Sequence, residues 1–94
     1  MADPTLPDDL LTVLAATTDT DELATLLSDL LTPAEIEALS ERWHIVRRLH
    51  QGMAQRAVAE ELQCSVTTVS RGARQLRYGT GALARAFARI DGED

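Results

Sequence analysis

Thr32-Pro33-Ala34-Glu35 constrains this chain more than any other stretch, because each of its residues suits one position at the start of a helix. Thr32 supplies a capping hydroxyl, Pro33 takes the first helical position, where no N–H is needed, and Glu35 reaches back to the N–H of the cap. The helix opened here is expected to run to about Gln51, with Ile36, Leu39, Trp43 and Val46 on its apolar stripe and Gly52 as its stop. A long central helix of this kind is a scaffold on which shorter ones can pack.

Start signals recur at short intervals on either side. They predict helices from about Pro7 to Ala16 and from Asp21 to Leu31, the latter burying Leu23, Leu26, Leu27, Leu30 and Leu31. After Gly52 come a short helix from Gln55 to Leu62, a tight connection at Gln63-Cys64-Ser65, and a helix to about Arg77 with Ser65 as its cap. A last helix, Gly81 to Ile90, is expected to turn Leu83, Phe87 and Ile90 inward, with a frayed acidic tail from Asp91. Apolar residues make up 45% of the chain but aromatics only 3%, so the core is built from leucine, alanine, valine and isoleucine, which suits packed helices better than sheets. The expected fold is all-α: one domain of six short helices over residues 1–94. Residues 1–52 would be scaffold and dimerisation core, 53–78 a helix-turn-helix, and 79–94 the C-terminal helix and tail. A chain this short buries only roughly 60 to 65% of its unfolded surface, so help from a second subunit is expected.

The net charge of −6 conceals a segregation. From Met1 to Glu41 there are ten acids and no bases; all nine bases, each an arginine, fall between Arg42 and Arg89, opposed there only by Glu60 and Glu61. Phosphate attraction depends on the local field, and the local excess in that stretch is seven positive charges. Other chemistries are disfavoured. Cys64 is the sole cysteine, expected as a small buried hydrophobe, so no internal disulfide or thiolate zinc site can form. His44 and His50 lie on different helix faces without further ligands, and neither Glu60-Glu61 nor Cys64 has the partners that catalysis requires. No enzyme, metal or cofactor is expected. No apolar run approaches the roughly 20 residues of a membrane span, and the acidic start is unlike a signal peptide, so a cytoplasmic protein is expected.

The short helix pair carries the most specific chemistry. On a helical wheel Val69, Ala73 and Leu76 share the sector that meets Val58 and Leu62, while Thr67, Ser70, Arg71, Arg74 and Arg77 lie opposite. Short hydroxyls and guanidinium groups are the donors and acceptors that base edges and phosphates require in a major groove. A solvated face is the bland alternative, yet no acid interrupts the run from Gln63 to Arg89. The connection lacks the usual glycine, so a residue other than glycine or asparagine is expected to take a positive φ there.

The run from Leu31 to Arg77, with Leu-Thr-Pro-Ala-Glu at its start, Gln55-Arg56 opening the short helix and Thr68-Val69-Ser70-Arg71-Gly72 beyond, resembles the tryptophan repressor family. That resemblance implies a DNA-binding repressor acting as an intertwined homodimer on a pseudo-palindromic operator, with L-tryptophan or a related indole compound as corepressor. It further implies that Arg42 and Arg71 flank the indole ring, that Arg71 also binds the ligand carboxylate, and that Val46 and Gly72 shape the slot. Thr32 and the carbonyls around Asp29 and Leu31 of the other subunit would receive the ammonium group, and Thr68 would link ligand and DNA surfaces. Gln55, Arg56, Ala59, Val66, Thr67 and Ser70 match positions facing DNA, joined by Thr68, Arg74 and Arg77. Gln75 stands where the repressor carries a serine near the ligand amine, the loop at Gly52-Met53 is one residue shorter, and the first helix is reduced. The segment Leu76-Arg77-Tyr78-Gly79-Thr80-Gly81 resembles instead a related group of small repressor-like proteins whose effector is not established. Three readings stand at this point: an effector-gated repressor, a helix-turn-helix regulator without effector, and an interaction protein docking through its acidic half.

Overall fold

The computed structural model describes residues 5–92. It contains six helices in the order α1 (Asp8–Ala16), α2 (Thr20–Leu30), α3 (Pro33–His50), α4 (Gln55–Leu62), α5 (Val66–Tyr78) and α6 (Ala82–Asp91), with no strand among the described residues. The all-α expectation holds, and every boundary falls within a residue or two of its predicted place. The chain divides into two compact units, one reaching to Ile36 and the other beginning at Glu37.

In the first unit, local capping explains the helix ends. Asp8 and Asp9 lie in the first turn of α1, where the amide dipoles favour negative charge, and Thr17 closes the helix with its hydroxyl donating to the Val13 carbonyl at 2.7 Å. The Asp19 carboxylate caps α2 by accepting the Asp21 N–H at 2.9 Å. The capping box forms as expected: the Thr32 N–H donates to Glu35 Oε1 at 2.8 Å, and Thr32 Oγ1 accepts the Glu35 N–H at 3.2 Å. Hydrogen bonds from Thr32, backbone first and hydroxyl second, hold the Glu35 carboxyl below its ordinary range. Apolar packing follows the prediction less closely. Leu23, Leu26, Leu27 and Leu31 are only half-buried and Leu30 is 55% exposed, so the expected burial of five leucines does not occur within the unit.

The second unit holds the core. Ile45, Val58, Ala59 and Val69 form one buried cluster, with Leu49, Leu62 and Cys64 packed against it. Helix α3 therefore buries Ile45 and Val46, whereas Leu39 of the expected stripe is exposed and Trp43 is 38% exposed. The shorter helices settle against the face carrying Ile45 and Leu49 and leave the neighbouring stripe open. At the end of α3, the Gly52 N–H donates to Leu49 and the Met53 N–H to Arg48, at 3.0 and 3.1 Å, with Gly52 at φ 96°. That paired pattern closes the last turn and needs a left-handed residue at its centre.

Helix α6 packs through Phe87, which is fully buried with its ring centroid 5.0 Å from those of both Trp43 and His50. The Arg47 guanidinium lies 5.1 Å from the Phe87 centroid and also pairs with Asp91. Two expectations are corrected here. Ile90 is 58% exposed and not inward, because α6 packs through Phe87 and the half-buried Leu83, and its last turn is held at the surface by the Asp91–Arg47 pair. Asp91 accordingly ends an ordered helix and is not part of a frayed tail; the rest of that tail, Glu93 and Asp94, lies outside the described residues. The hydrogen bond from Arg47 pulls the Asp91 carboxyl below its usual value.

Candidate functional site

Helices α4 and α5 are joined by a three-residue turn, Gln63-Cys64-Ser65. Gln63 takes the left-handed conformation, φ 55° and ψ 45°, and is the one non-glycine residue with positive φ among those described. Around it the Gln63 N–H donates to Glu60 and the Cys64 N–H to Ala59, at 3.3 and 3.0 Å, repeating the arrangement at the end of α3. Ser65 then caps α5, its hydroxyl accepting the Thr68 N–H at 3.1 Å. Both sequence expectations for this turn are met.

The face predicted for DNA assembles with one exception. Gln55, Arg56, Val66, Thr67, Arg74 and Arg77 are exposed, and Ser70 and Thr68 are half-buried. Ser70 Oγ donates to Gln55 Oε1 at 2.9 Å, tying the start of α4 to the middle of α5. Gln55, Ser70, Ala73, Arg74, Arg77 and Tyr78 line a shallow groove. Ala59 is the exception: at 6% exposure it belongs to the core cluster beside Val58 and Val69 and offers nothing to a duplex. Its position on the short helix turns it into the cluster with Ile45 and Val69. Ala73 and Leu76, expected in the core, are half-buried, and Gly72 takes the inner place beside Val69. Tyr78 escaped the sequence reading. It is 71% exposed with the Arg77 guanidinium 5.4 Å from its ring centroid, extending the basic face to the last residue of α5. Its signal was the continuation of the α5 spacing by one more turn beyond Arg74.

The arginines divide by use. Arg47 pairs with Asp91, and Arg48 Nε lies 3.2 Å from Glu61 Oε1, so these two serve the fold. Arg42, Arg56, Arg71, Arg74 and Arg77 enter no ion pair among the described residues.

On the other side of α5, a cavity of about 590 Å³ opens between α3, α5 and α6. Its size falls in the roughly 300–1,000 Å³ range of small-molecule sites. Helix α3 contributes Ala38, Leu39, Glu41, Arg42, Trp43, Ile45 and Val46, helix α5 contributes Thr68, Arg71, Gly72 and Gln75, and Leu83 comes from α6. Six of the residues singled out for an effector, Arg42, Val46, Thr68, Arg71, Gly72 and Gln75, thus line one cavity. The other three, Asp29, Leu31 and Thr32, stand in the first unit: Asp29 is exposed, Leu31 ends α2, and Thr32 serves the capping box. Sequence reasoning missed Glu41, Trp43 and Leu83. Glu41 was discoverable, since Ala38, Glu41, Arg42 and Ile45 fall at helical spacing on one face.

Gly72 governs how closely the cavity walls meet. A Cβ added there would lie 2.7 Å from Ile45 Cγ2, a distance at which something must shift. Helix α5 therefore approaches α3 at Gly72 more closely than any side chain would permit. Thr68 Oγ1 and Ser65 Oγ share a hydrogen bond at 2.8 Å, so the cap of α5 and the cavity wall meet in one hydroxyl pair.

Comparison with known proteins agrees with this geometry. The family model described as Trp repressor protein matches residues 7–91. A Bacillus subtilis (strain 168) relative, named Uncharacterized protein YerC, is 31% identical over 83 residues, covering 88% of this chain and 80% of its own length. A Trp operon repressor homolog of Xylella fastidiosa (strain M23) is 36% identical over 69 residues, covering 72% of this chain and 75% of that protein. One from Vibrio vulnificus (strain YJ016) is 42% identical over 53 residues, covering 55% and 52%. With nearly the whole chain matched and the helix-turn-helix in place, this protein belongs to the Trp repressor family, a family of transcriptional repressors.

Proposed function

We propose that the chain is a ligand-gated transcriptional repressor of the cytoplasm that binds a pseudo-palindromic DNA operator as a homodimer, with L-tryptophan or a related indole compound as corepressor. One observation carries this reading: Arg71 lines the cavity from the same helix on which Thr67, Ser70, Arg74 and Arg77 form the basic outer face. A ligand held there bears directly on the helix that would enter the major groove. The guanidinium groups of Arg42 and Arg71 can stack on an aromatic ring and donate to a carboxylate. Val46 and Gly72 leave a slot for the ring, and Gln75 offers an amide where a ligand amine would lie. A partner subunit's α2–α3 junction would bring Asp29, Leu31 and Thr32 toward the ligand. The exposed Leu30 and Leu39 supply apolar surface for that association. In a dimer the two reading heads would be set about 34 Å apart, one turn of DNA.

A second reading keeps the DNA contact and drops the effector. The Gly72–Ile45 approach favours it, because direct contact between the two helices is enough to set the place of α5. Titration calorimetry with L-tryptophan and with a deaminated indole acid, beside fluorescence anisotropy on duplexes selected from a random pool, separates the two. The first reading expects binding heat, together with DNA affinity that rises with ligand and falls with salt as counterions are released. DNA binding indifferent to ligand selects the second, and loss of any salt-dependent DNA binding sinks both. Under the first, Arg71→Ala abolishes ligand response and weakens DNA binding, whereas Thr67→Ala alters operator choice with ligand heat intact.

A further inference from the structure

We infer that Glu41 is the group with which this cavity recognises a cationic amine, so that its ligand is a zwitterionic aromatic amino acid and not a simple aromatic acid. The inference rests on the reading that the cavity between α3, α5 and α6 holds a small effector.

Among the lining residues Glu41 is the single carboxylate, and its charged companions are Arg42 and Arg71. The remaining walls are largely apolar, with Trp43, Val46 and Leu83 facing the same space. These three charges are unspent: none of them enters an ion pair or hydrogen bond within the described chain, although Arg42 is the next residue to Glu41. Glu61 and Asp91 of the same unit are taken up by arginines, whereas Glu41, like Glu37 and Glu60, has no such partner among the described residues, and of these three only Glu41 lines the cavity. One carboxylate and two guanidinium groups on the lining make the cavity ampholytic. An aromatic acid without an amine would satisfy a guanidinium and leave its own carboxylate facing Glu41, a like-charge contact. A zwitterion answers both signs, its carboxylate meeting Arg42 or Arg71 and its ammonium meeting Glu41.

The placement of Glu41 supports this use. It stands in the middle of α3, so its backbone is fixed, and consecutive helical residues point about 100° apart. Glu41 and Arg42 therefore reach the cavity from two sides of one wall, at a separation set by the helix and not by a loop. Neither Thr68, whose hydroxyl is engaged with Ser65, nor the neutral Gln75 can neutralise a charge. Glu41 thus provides an ammonium site within a single protomer, independent of what a partner subunit contributes.

The test measures binding of L-tryptophan, indole-3-propionate and tryptamine to the full chain and to Glu41→Gln, by calorimetry at pH 7 and moderate salt. The unmodified chain is expected to favour L-tryptophan over indole-3-propionate by tenfold or more. Glu41→Gln should weaken L-tryptophan at least tenfold, leave indole-3-propionate unchanged or tighter, and so erase the preference; Glu41→Asp should restore part of it. Because Glu41 is exposed and unpaired, the variant should keep its helical content and melting temperature. Equal weakening of both indole acids, or no change in either, overturns the role of Glu41 while leaving the effector site standing. If the unmodified chain binds none of the three, the effector reading itself falls and this inference with it.

Discussion

The first two helices and the helix-turn-helix unit draw on similar aliphatic residues, yet only the second unit buries any of them completely. Helices α1 and α2 contain no buried side chain, and Leu6, Leu11, Val13 and Leu30 are exposed. In the second unit Val58, Val69 and Phe87 are sealed from solvent. The difference lies in the number of directions from which a residue is covered. Val58 is enclosed because α3, α4 and α5 converge on one cluster, whereas a leucine on a two-helix arrangement always keeps one side open. Charge follows the same division: the leucine-rich unit carries acids alone, while the packed unit carries every arginine. An exposed apolar face of one sign is a surface awaiting a counterpart, and the core of the second unit is a finished one.

The strongest way to break this contrast is to remove the anchor of α6. Phe87→Ala should cost about 3–5 kcal/mol, seen as a large fall in the urea midpoint, since a fully buried ring leaves a cavity. Leu30→Asp probes the other unit. If its leucines stay open to water, stability should move by less than about 0.5 kcal/mol. If a second copy covers them, sedimentation should show the dimer dissociating, with a loss of roughly 2 kcal/mol for the burial forfeited. Capping gives a finer comparison: Thr32→Ala and Ser65→Ala should each cost about 1 kcal/mol in chemical denaturation, Thr32 within the first unit and Ser65 within the second. Gln63→Gly runs in the opposite direction, with a gain of up to about 1 kcal/mol from relief of the left-handed conformation.

Acid should give the smallest effect, again with one group in each unit. Glu35 and Asp91 both have carboxyls held below their ordinary values, by Thr32 and by Arg47 respectively. Each contributes stability that is present above the ordinary carboxylate range and is lost as pH falls through its lowered value. Trp43 emission should therefore change below about pH 4 as α6 loosens from Arg47, and Asp91→Asn should flatten that change.

Local chemistry was legible in the sequence wherever its partners lie within a few residues. The Thr32–Glu35 box, the Ser65 cap, the Gly52 stop and the strained turn at Gln63 each depend on hydrogen bonds spanning at most five positions. What could not be read was the direction from which cover arrives. Helix α3 has apolar residues on two adjacent stripes, and only the docking of α4 and α5 selects Ile45 over Leu39. Ala59 looks like a surface residue because alanine suits either environment, and Asp91 is held in the last turn of α6 because Arg47, far away in sequence, reaches it. The candidate cavity followed the same rule: its arginines were legible through the family resemblance and Glu41 from its spacing along α3, while Leu83 emerged only when three helices were set around one space.

The missing side chain at Gly72 also has a mechanical side. Where two helices approach most closely at a glycine, that place can serve as a pivot, and Gly72 lies near the middle of α5, about 9 Å from either end. Thr68 and Gln75 sit on opposite arms of that balance, and both border the cavity. A molecule lodged there would press on both arms together and behave as a brace, damping the rocking more than it moves the helix. The cargo of such a site is stiffness: a reading head that points one way for longer.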